Sequence, residues 1–264
     1  MNQNQEDLTL IINACRAAGA ILLKYFGTDL DVERKAESGN SPVTIADKET
    51  DAFLQEALLK ARPNYGWLSE EIENDMSHLS ANRAFVVDPI DGTKPFIKGI
   101  PEFAISVAVI ENSQPVVGVV FNPVKNEMFT SVLGEGVELN GQPIKLNESD
   151  VLEHFLGSVG ESKKGYLDPY ESLWEIHKIG SIAYKMALVA AGKGDLMATF
   201  RPKSEWDIAA GHLMCQEMGF KVADFEGQIP RYDARVAEDF VSNLLVAPEG
   251  QFDDVLAKIL SLRS

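Results

Sequence analysis

The stretch Val86-Val87-Asp88-Pro89-Ile90-Asp91-Gly92-Thr93-Lys94-Pro95-Phe96 decides how this chain is read. Two carboxylates three residues apart stand at the end of an apolar run, and a tight turn with a helix start follows at once. Residues 83–88 read as a strand that delivers Asp88 to its tip. Asp88 and Asp91 can each give oxygen to a hard cation, and the backbone carbonyl of Ile90 can give a third. Gly92 and Thr93 then expose N–H groups at a helix N-terminus, where an anion is stabilised. Pro95 suits the first turn of that helix. The pattern is not a calcium EF-hand, because Pro89 breaks the ligand spacing and the position of the closing glutamate is Gly99.

Working outward, apolar residues at helical spacing predict helices over 6–26 and 45–61, with a Lys/Glu/Ser/Gly-rich loop from Glu33 to Pro42 between them. Phe103–Ile110 and Pro115–Phe121 read as a hairpin, and 126–132 with the turn at Leu139–Pro143 completes a strand-rich stretch. Beyond about residue 148 the pattern alternates. Helices are expected at 168–177, 182–192, 206–218 and 250–262, and strands near 154–158, 195–200, 220–223 and 243–247. The succession predicts an α+β first half, residues 1–148, followed by an α/β second half, residues 149–264, packed closely across a cleft.

Composition narrows the function classes. The chain has 264 residues with 24 Lys and Arg against 40 Asp and Glu, a net charge of −16. That balance argues against general binding to nucleic-acid polymers or anionic membranes. Only Cys15 and Cys215 are present, so there is no disulfide framework, and a reducing, cytoplasmic location is expected. The four histidines (His78, His154, His177 and His212) show no metal-ligand spacing, which points to oxygen ligands for any metal. Asn13, Arg16 and Lys24 interrupt the first apolar segment, so no membrane span is expected there.

Further acidic positions have suggestive settings. Asp47 opens the second helix, Glu70 and Glu71 follow the short apolar strand Trp67-Leu68-Ser69, and Asp207 lies in the first turn of a helix. Each also has a plain structural reading, as a helix-dipole complement or a solvated turn.

Leu68-Ser69-Glu70-Glu71, Asp88-Pro89-Ile90-Asp91-Gly92-Thr93 and Trp206-Asp207-Ile208-Ala209-Ala210-Gly211 together resemble the inositol monophosphatase family, within the lithium-sensitive, magnesium-dependent phosphatases. The likeness runs from about residue 8 to 260. It implies a layered αβαβα sandwich, like that of fructose-1,6-bisphosphatase, and a homodimer. It implies hydrolysis of a small-molecule phosphate ester with two or three Mg²⁺ ions. Carried over by motif, Glu70, Asp88 and the Ile90 carbonyl hold one ion. Asp88, Asp91 and Asp207 hold a second, and Glu70 with water helps a third. Asp47 and Thr93, with Glu70 close by, orient the attacking water, and the amides of Gly92 and Thr93 grip the phosphate. A catalytically silent regulator on the same scaffold would betray itself by a lost ligand or a lost Asp47/Thr93 pair; all are present.

For the substrate, Ser41-Pro42-Val43-Thr44, the Leu-Ser-Glu-Glu form of the glutamate motif and Lys94-Pro95-Phe96-Ile97-Lys98 resemble the 3′(2′),5′-bisphosphate nucleotidase branch. The preferred ester is then 3′-phosphoadenosine 5′-phosphate, with inositol 1-phosphate and histidinol phosphate as alternatives. Gly99-Ile100-Pro101 is closer to the inositol or histidinol phosphatase pattern. The glutamate that grips the inositol ring in the family has no counterpart near Thr199 or Phe200. Gly180, Ser181, Lys185 and Arg201 are the candidate substrate contacts, with Lys163 and Lys164 as further cations.

Overall fold

A computed structural model describes residues 2–35, 41–72, 77–146, 151–232 and 240–263. The helices are α1 (Gln3–Tyr25), α2 (Ile45–Ala61), α3 (Ser77–Ser80), α4 (Thr93–Ile97), α5 (Val159–Ser162), α6 (Ile182–Ala190), α7 (Glu205–Glu217) and α8 (Phe252–Leu262). Strands β1 (Val32–Lys35) and β2 (Ser41–Thr44) form a small antiparallel pair. A seven-stranded sheet runs in sequence order through β3 (Gly66–Ser69), β4 (Arg83–Asp91), β5 (Ala104–Glu111), β6 (Gln114–Asn122), β7 (Glu127–Val132), β8 (Val137–Leu139) and β9 (Gln142–Pro143). β3 is parallel to β4 and every later pairing is antiparallel. The second sheet comprises β10 (His154–Ser158), β11 (Glu175–Ile179), β12 (Leu196–Thr199), β13 (Phe220–Ala223) and β14 (Leu244–Pro248), in the order β11-β10-β12-β14-β13.

Alternation along the strands explains the layers. On β4, Phe85 and Val87 join a core with Ile11, Cys15, Ala18, Leu22, Leu54 and Leu58 of α1 and α2. Val86, between them, points to the opposite face and a core with α6, α7 and the second sheet. On β14, Leu244 and Val246 enter that middle core, while Leu245 and Ala247 pack beneath Phe252, Val255 and Ile259 of α8. Strands covered on both sides are nearly continuous apolar runs, which is how β4, β5 and β6 read. The result is the expected αβαβα sandwich, α1/α2, sheet, α6/α7, sheet, α8. By length and composition α1 could cross a bilayer. In the fold its apolar stripe, Ile11, Ala14, Cys15, Ala18 and Leu22, is buried in the protein core.

Most elements fall within one or two residues of expectation, with three corrections. The segment read as a loop from Glu33 to Pro42 contributes β1 and β2, paired from Val32↔Thr44 to Lys35↔Ser41; residues 36–40 lie outside the described ones. Its Lys and Glu content conceals the strand because pairing, not an apolar face, organises it. Residues 168–177 are not a helix. A single 3₁₀ turn at Asp168–Tyr170 is followed by β11. Leu167, Tyr170 and Trp174 mimic a helical stripe, yet they plug the outer core from an irregular segment. Third, the strand read over 83–88 continues to Asp91.

One hairpin turn is set by chemistry visible in the sequence. Asn112 and Ser113 both adopt positive φ (52° and 64°), the conformation that a two-residue turn between β5 and β6 requires.

Candidate metal centre and active site

β4 carries a bulge at the decisive point. Asp88 pairs with Ser106 and Asp91 with Ala104, so three steps on β4 oppose two on β5. A bulge re-aims side chains, and Pro89, having no N–H to donate, is tolerated inside one. The Asp88 carboxylate accepts the Ile90 N–H at 2.9 Å, which fixes the turn. Gly92 follows at φ +100°, where any Cβ would lie 2.9 Å from the Glu102 carbonyl. Only glycine lets the chain swing from strand into α4 at that point.

Asp207 arrives from the second half of the chain, at the start of α7. It is the third residue of α7, and its Oδ2 accepts the Ser204 N–H at 2.8 Å in a capping box. α7 lies hard against the first sheet. The Ser106 hydroxyl donates to the Trp206 carbonyl at 3.3 Å, and a Cβ on Gly118 would come within 2.9 Å of the Ala210 carbonyl. Asp88, Asp91 and Asp207 each offer an oxygen such that all three lie within 4.8 Å of one another.

Crowding of this kind shifts the acids. Burial pushes the Asp88 carboxyl well above its usual range, and the neighbouring charges of Glu70, Asp91, Asp207 and Glu71 push it further. Asp91 is raised to about 6 by burial and by Asp207, against the Ser181 hydroxyl (2.5 Å), the Ala183 N–H (2.5 Å) and the Lys185 ammonium. Asp207 is raised by burial, against the pull of Lys203, the Ser204 amide and Lys185. Three acids that cannot all ionise cheaply together form a ready ligand set for a hard divalent cation.

Beside them, Asp47 and Thr93 meet across the α2 and α4 starts. The Asp47 Oδ2 accepts the Thr44 amide and hydroxyl, each at 2.7 Å, while its Oδ1 faces the Thr93 hydroxyl at 3.3 Å. The Thr93 hydroxyl is also 3.3 Å from the Ile90 carbonyl. Asp47 and Asp207 therefore share one design: one carboxylate oxygen caps a helix, which bears out the structural reading and leaves the second oxygen for other contacts. Glu70 stands half-buried at the end of β3, its amide donating to the Val87 carbonyl at 3.2 Å.

The candidate substrate residues take different places. The Ser181 hydroxyl caps α6 by accepting the Tyr184 N–H at 3.0 Å while donating to Asp91. The Gly180 amide donates to Glu102 at 3.0 Å, and its bare Cα clears Pro95. Lys185 is buried, donates to the Ile179 carbonyl at 3.2 Å, and is lowered to about 8 by burial and by Lys203. Arg201 is exposed. Burial lowers the Lys94 ammonium, and the field of a cationic rim made by Arg201, Arg34, Lys164 and Lys203 lowers it further.

Two features escaped the sequence. Glu161 of α5 is buried, and its Oε1 accepts the Thr199 hydroxyl and the Phe200 N–H, both at 2.8 Å; its Oε2 has no hydrogen-bond partner among the described residues. A carboxylate thus does stand against Thr199 and Phe200, supplied from 38 residues upstream of Thr199, where no local motif announces it. The histidines are not all isolated either: His154 and His177 meet across β10 and β11 with ring nitrogens 3.0 Å apart.

Comparison with known proteins bears on the family and the fold. The model of the inositol monophosphatase family matches residues 3–262. An inositol-1-monophosphatase of Rhizobium meliloti (strain 1021) is 34% identical over 230 residues, 83% of this chain and 86% of that protein. A protein named Nus factor SuhB from Pasteurella multocida (strain Pm70) is 32% identical over 230 residues, 83% and 85% of the two chains. The solved structure of an IMPase of Thermotoga maritima superposes with a TM-score of 0.84 at 30% identity, covering 97% of this chain and 98% of that one.

Proposed function

The chain belongs to the inositol monophosphatase family of metal-dependent phosphatases, and from that premise we propose that its substrate is a small phosphate monoester bearing a second phosphate, with 3′-phosphoadenosine 5′-phosphate preferred. The observation that carries the reading is the convergence of Asp88, Asp91 and Asp207 within 4.8 Å, together with a cationic rim on a chain of net charge −16. Lys94, Arg201, Lys164 and Lys203 give the rim the charge to meet a second phosphate.

Glu70, Asp88, Asp91, Asp207 and the Ile90 carbonyl offer the oxygen ligands that suit two or three Mg²⁺ ions. When bound, such ions screen the phosphate dianion, acidify a water and stabilise the departing alkoxide. The Thr93 hydroxyl, donating to Asp47, keeps a lone pair free to accept from the attacking water and fix its line of approach. The backbone N–H groups of Gly92 and Thr93 meet the phosphate oxygens where charge grows in the transition state. Asp91 is held in place by Ser181 and Ala183, so the α6 start positions the centre rather than the substrate.

A second reading has its own observation. The Oε2 of buried Glu161, beside Thr199 and Phe200 and without a hydrogen-bond partner among the described residues, suits the hydroxyls of a polyol, which favours inositol 1-phosphate. Glu161→Gln separates the two: it cripples a polyol site and leaves a bisphosphate site largely intact. Location in a reducing cytoplasm accords with two buried thiols whose pKa burial pushes up. The experiment is catalytic efficiency on 3′-phosphoadenosine 5′-phosphate, inositol 1-phosphate and histidinol phosphate in one Mg²⁺ buffer. The reading expects the first to lead by at least tenfold; a lead for either of the others removes the substrate assignment.

A further inference from the structure

At the edge of the second sheet, far in sequence from the carboxylate motifs, three side chains converge that the hydrolytic reaction does not use. β10 and β11 are parallel, with His154 opposite Glu175 and Leu156 opposite His177. Partners across a sheet share a face, and so do residues two apart on one strand, so His154, Glu175 and His177 project to the same side. The His154 Nδ1 and His177 Nε2 lie 3.0 Å apart. Glu175 turns one carboxylate oxygen to each ring, Oε2 to His154 and Oε1 to His177, both at 3.6 Å. The two imidazoles are 44% and 40% exposed, so an ion can reach the nitrogens from solvent.

From this geometry we propose that His154, His177 and Glu175 form a second metal site, selective for Zn²⁺ or a similar transition-metal ion and independent of the Mg²⁺ centre. Two imidazole nitrogens can face each other this closely only if a proton or a cation lies between them. Ligands about 2.0–2.1 Å from a tetrahedral zinc are roughly 3.3 Å from one another. The separations of 3.0 and 3.6 Å fall on either side of that spacing. Two imidazoles and one carboxylate are the donors that zinc favours and that Mg²⁺ does not, whereas the centre at Asp88 is all oxygen. The open side leaves room for water as a fourth ligand.

The strand start that carries His154 is fixed independently. The Asp195 Oδ2 accepts the backbone N–H groups of Glu153 and His154, each at 2.7 Å. An ion here ties β11, the edge strand, to β10. That tie supplies a function for the site: it pins the edge strand to its neighbour.

The test is equilibrium dialysis of the full chain against Zn²⁺ in saturating Mg²⁺, comparing wild type with His154→Ala and His177→Gln. Any zinc entering the carboxylate centre is common to all three proteins and cancels. The expected result is one additional zinc per chain in wild type. Its affinity falls at least tenfold in either variant, while Mg²⁺-supported hydrolysis stays at the wild-type rate. Zinc is also expected to raise the melting temperature of wild type above that of His177→Gln. Equal zinc binding in wild type and both variants overturns the site.

Discussion

Asp91→Asn is expected to make the metal-free protein more stable and the enzyme inactive. Asp91 is buried, and its pKa of about 6 against an ordinary 3.8 means that ionising it in the fold is costly. The sign follows from linkage. Between those two values the native state holds a proton that the unfolded chain has lost, so metal-free stability falls as pH rises through the window. Above pH 6 the accumulated cost is roughly 3 kcal/mol. Asparagine removes the charge, and its Oδ1 can still accept from the Ser181 hydroxyl and the Ala183 amide, which both converge on one oxygen of Asp91. A neutral acceptor weakens those two bonds, returning about 1–2 kcal/mol, so the net gain is about 1–2 kcal/mol. For a chain of this size that is about 2–4 °C in melting temperature. Mg²⁺ reverses the order, because wild type gains about 2.7 kcal/mol at a hundredfold excess over Kd and the variant gains little. The assay is thermal unfolding at pH 8, with chelator and with saturating Mg²⁺, alongside turnover. A variant that melts below wild type in chelator, or gains as much as wild type from Mg²⁺, refutes the reasoning.

Thr93→Ala removes the hydroxyl between Asp47 and Ile90 but no metal ligand; kcat is expected to fall about 10²–10⁴-fold with Mg²⁺-induced stabilisation retained, measured by steady-state kinetics and melting. Gly118→Ala places a methyl 2.9 Å from the Ala210 carbonyl of α7, which cannot yield without moving Asp207. A loss of about 1–3 kcal/mol by urea unfolding is expected, together with weaker Mg²⁺ activation. His212, buried against the Tyr232 hydroxyl at 3.0 Å, is lowered by burial to about 4. Its contribution is complete above pH 6.5 and lost as pH falls towards 4, because the unfolded chain takes the proton first. Between pH 7 and 5 it removes roughly 2 kcal/mol of stability, a share that His212→Asn is expected to abolish in urea midpoints at the two pH values.

The sequence exposed the candidate centre because most of its residues are local. Asp88, Asp91, Gly92 and Thr93 sit within one turn, and the bulge that aims them is marked by Pro89 and Gly92. Asp47 and Asp207 were readable as first-turn acids, and the fold adds that each spends one oxygen on its own cap. The α+β and α/β halves were legible in the succession of elements, whereas the layers were implied by the family resemblance, and β4, β5 and β6, apolar on both faces, fit them. What stayed hidden depends on distance in the chain. Glu161 reaches Thr199 across 38 residues, and His154 meets His177 only because β10 and β11 pair in one register. β11 itself was masked by Tyr170 and Trp174, whose spacing imitates a helix face while both fill the outer core. The pair of charged β1 and short, polar β2 carries no apolar alternation from which pairing could be inferred.

The central claim is that Asp88, Asp91 and Asp207 hold the divalent cation on which hydrolysis depends. Its most direct test is anomalous diffraction from crystals of the active enzyme soaked in Mn²⁺, a Mg²⁺ substitute with a measurable absorption edge. The account predicts a peak within bonding distance of oxygens from all three side chains, absent in Asp91→Asn. Catalytically active crystals with no peak among those three carboxylates contradict it.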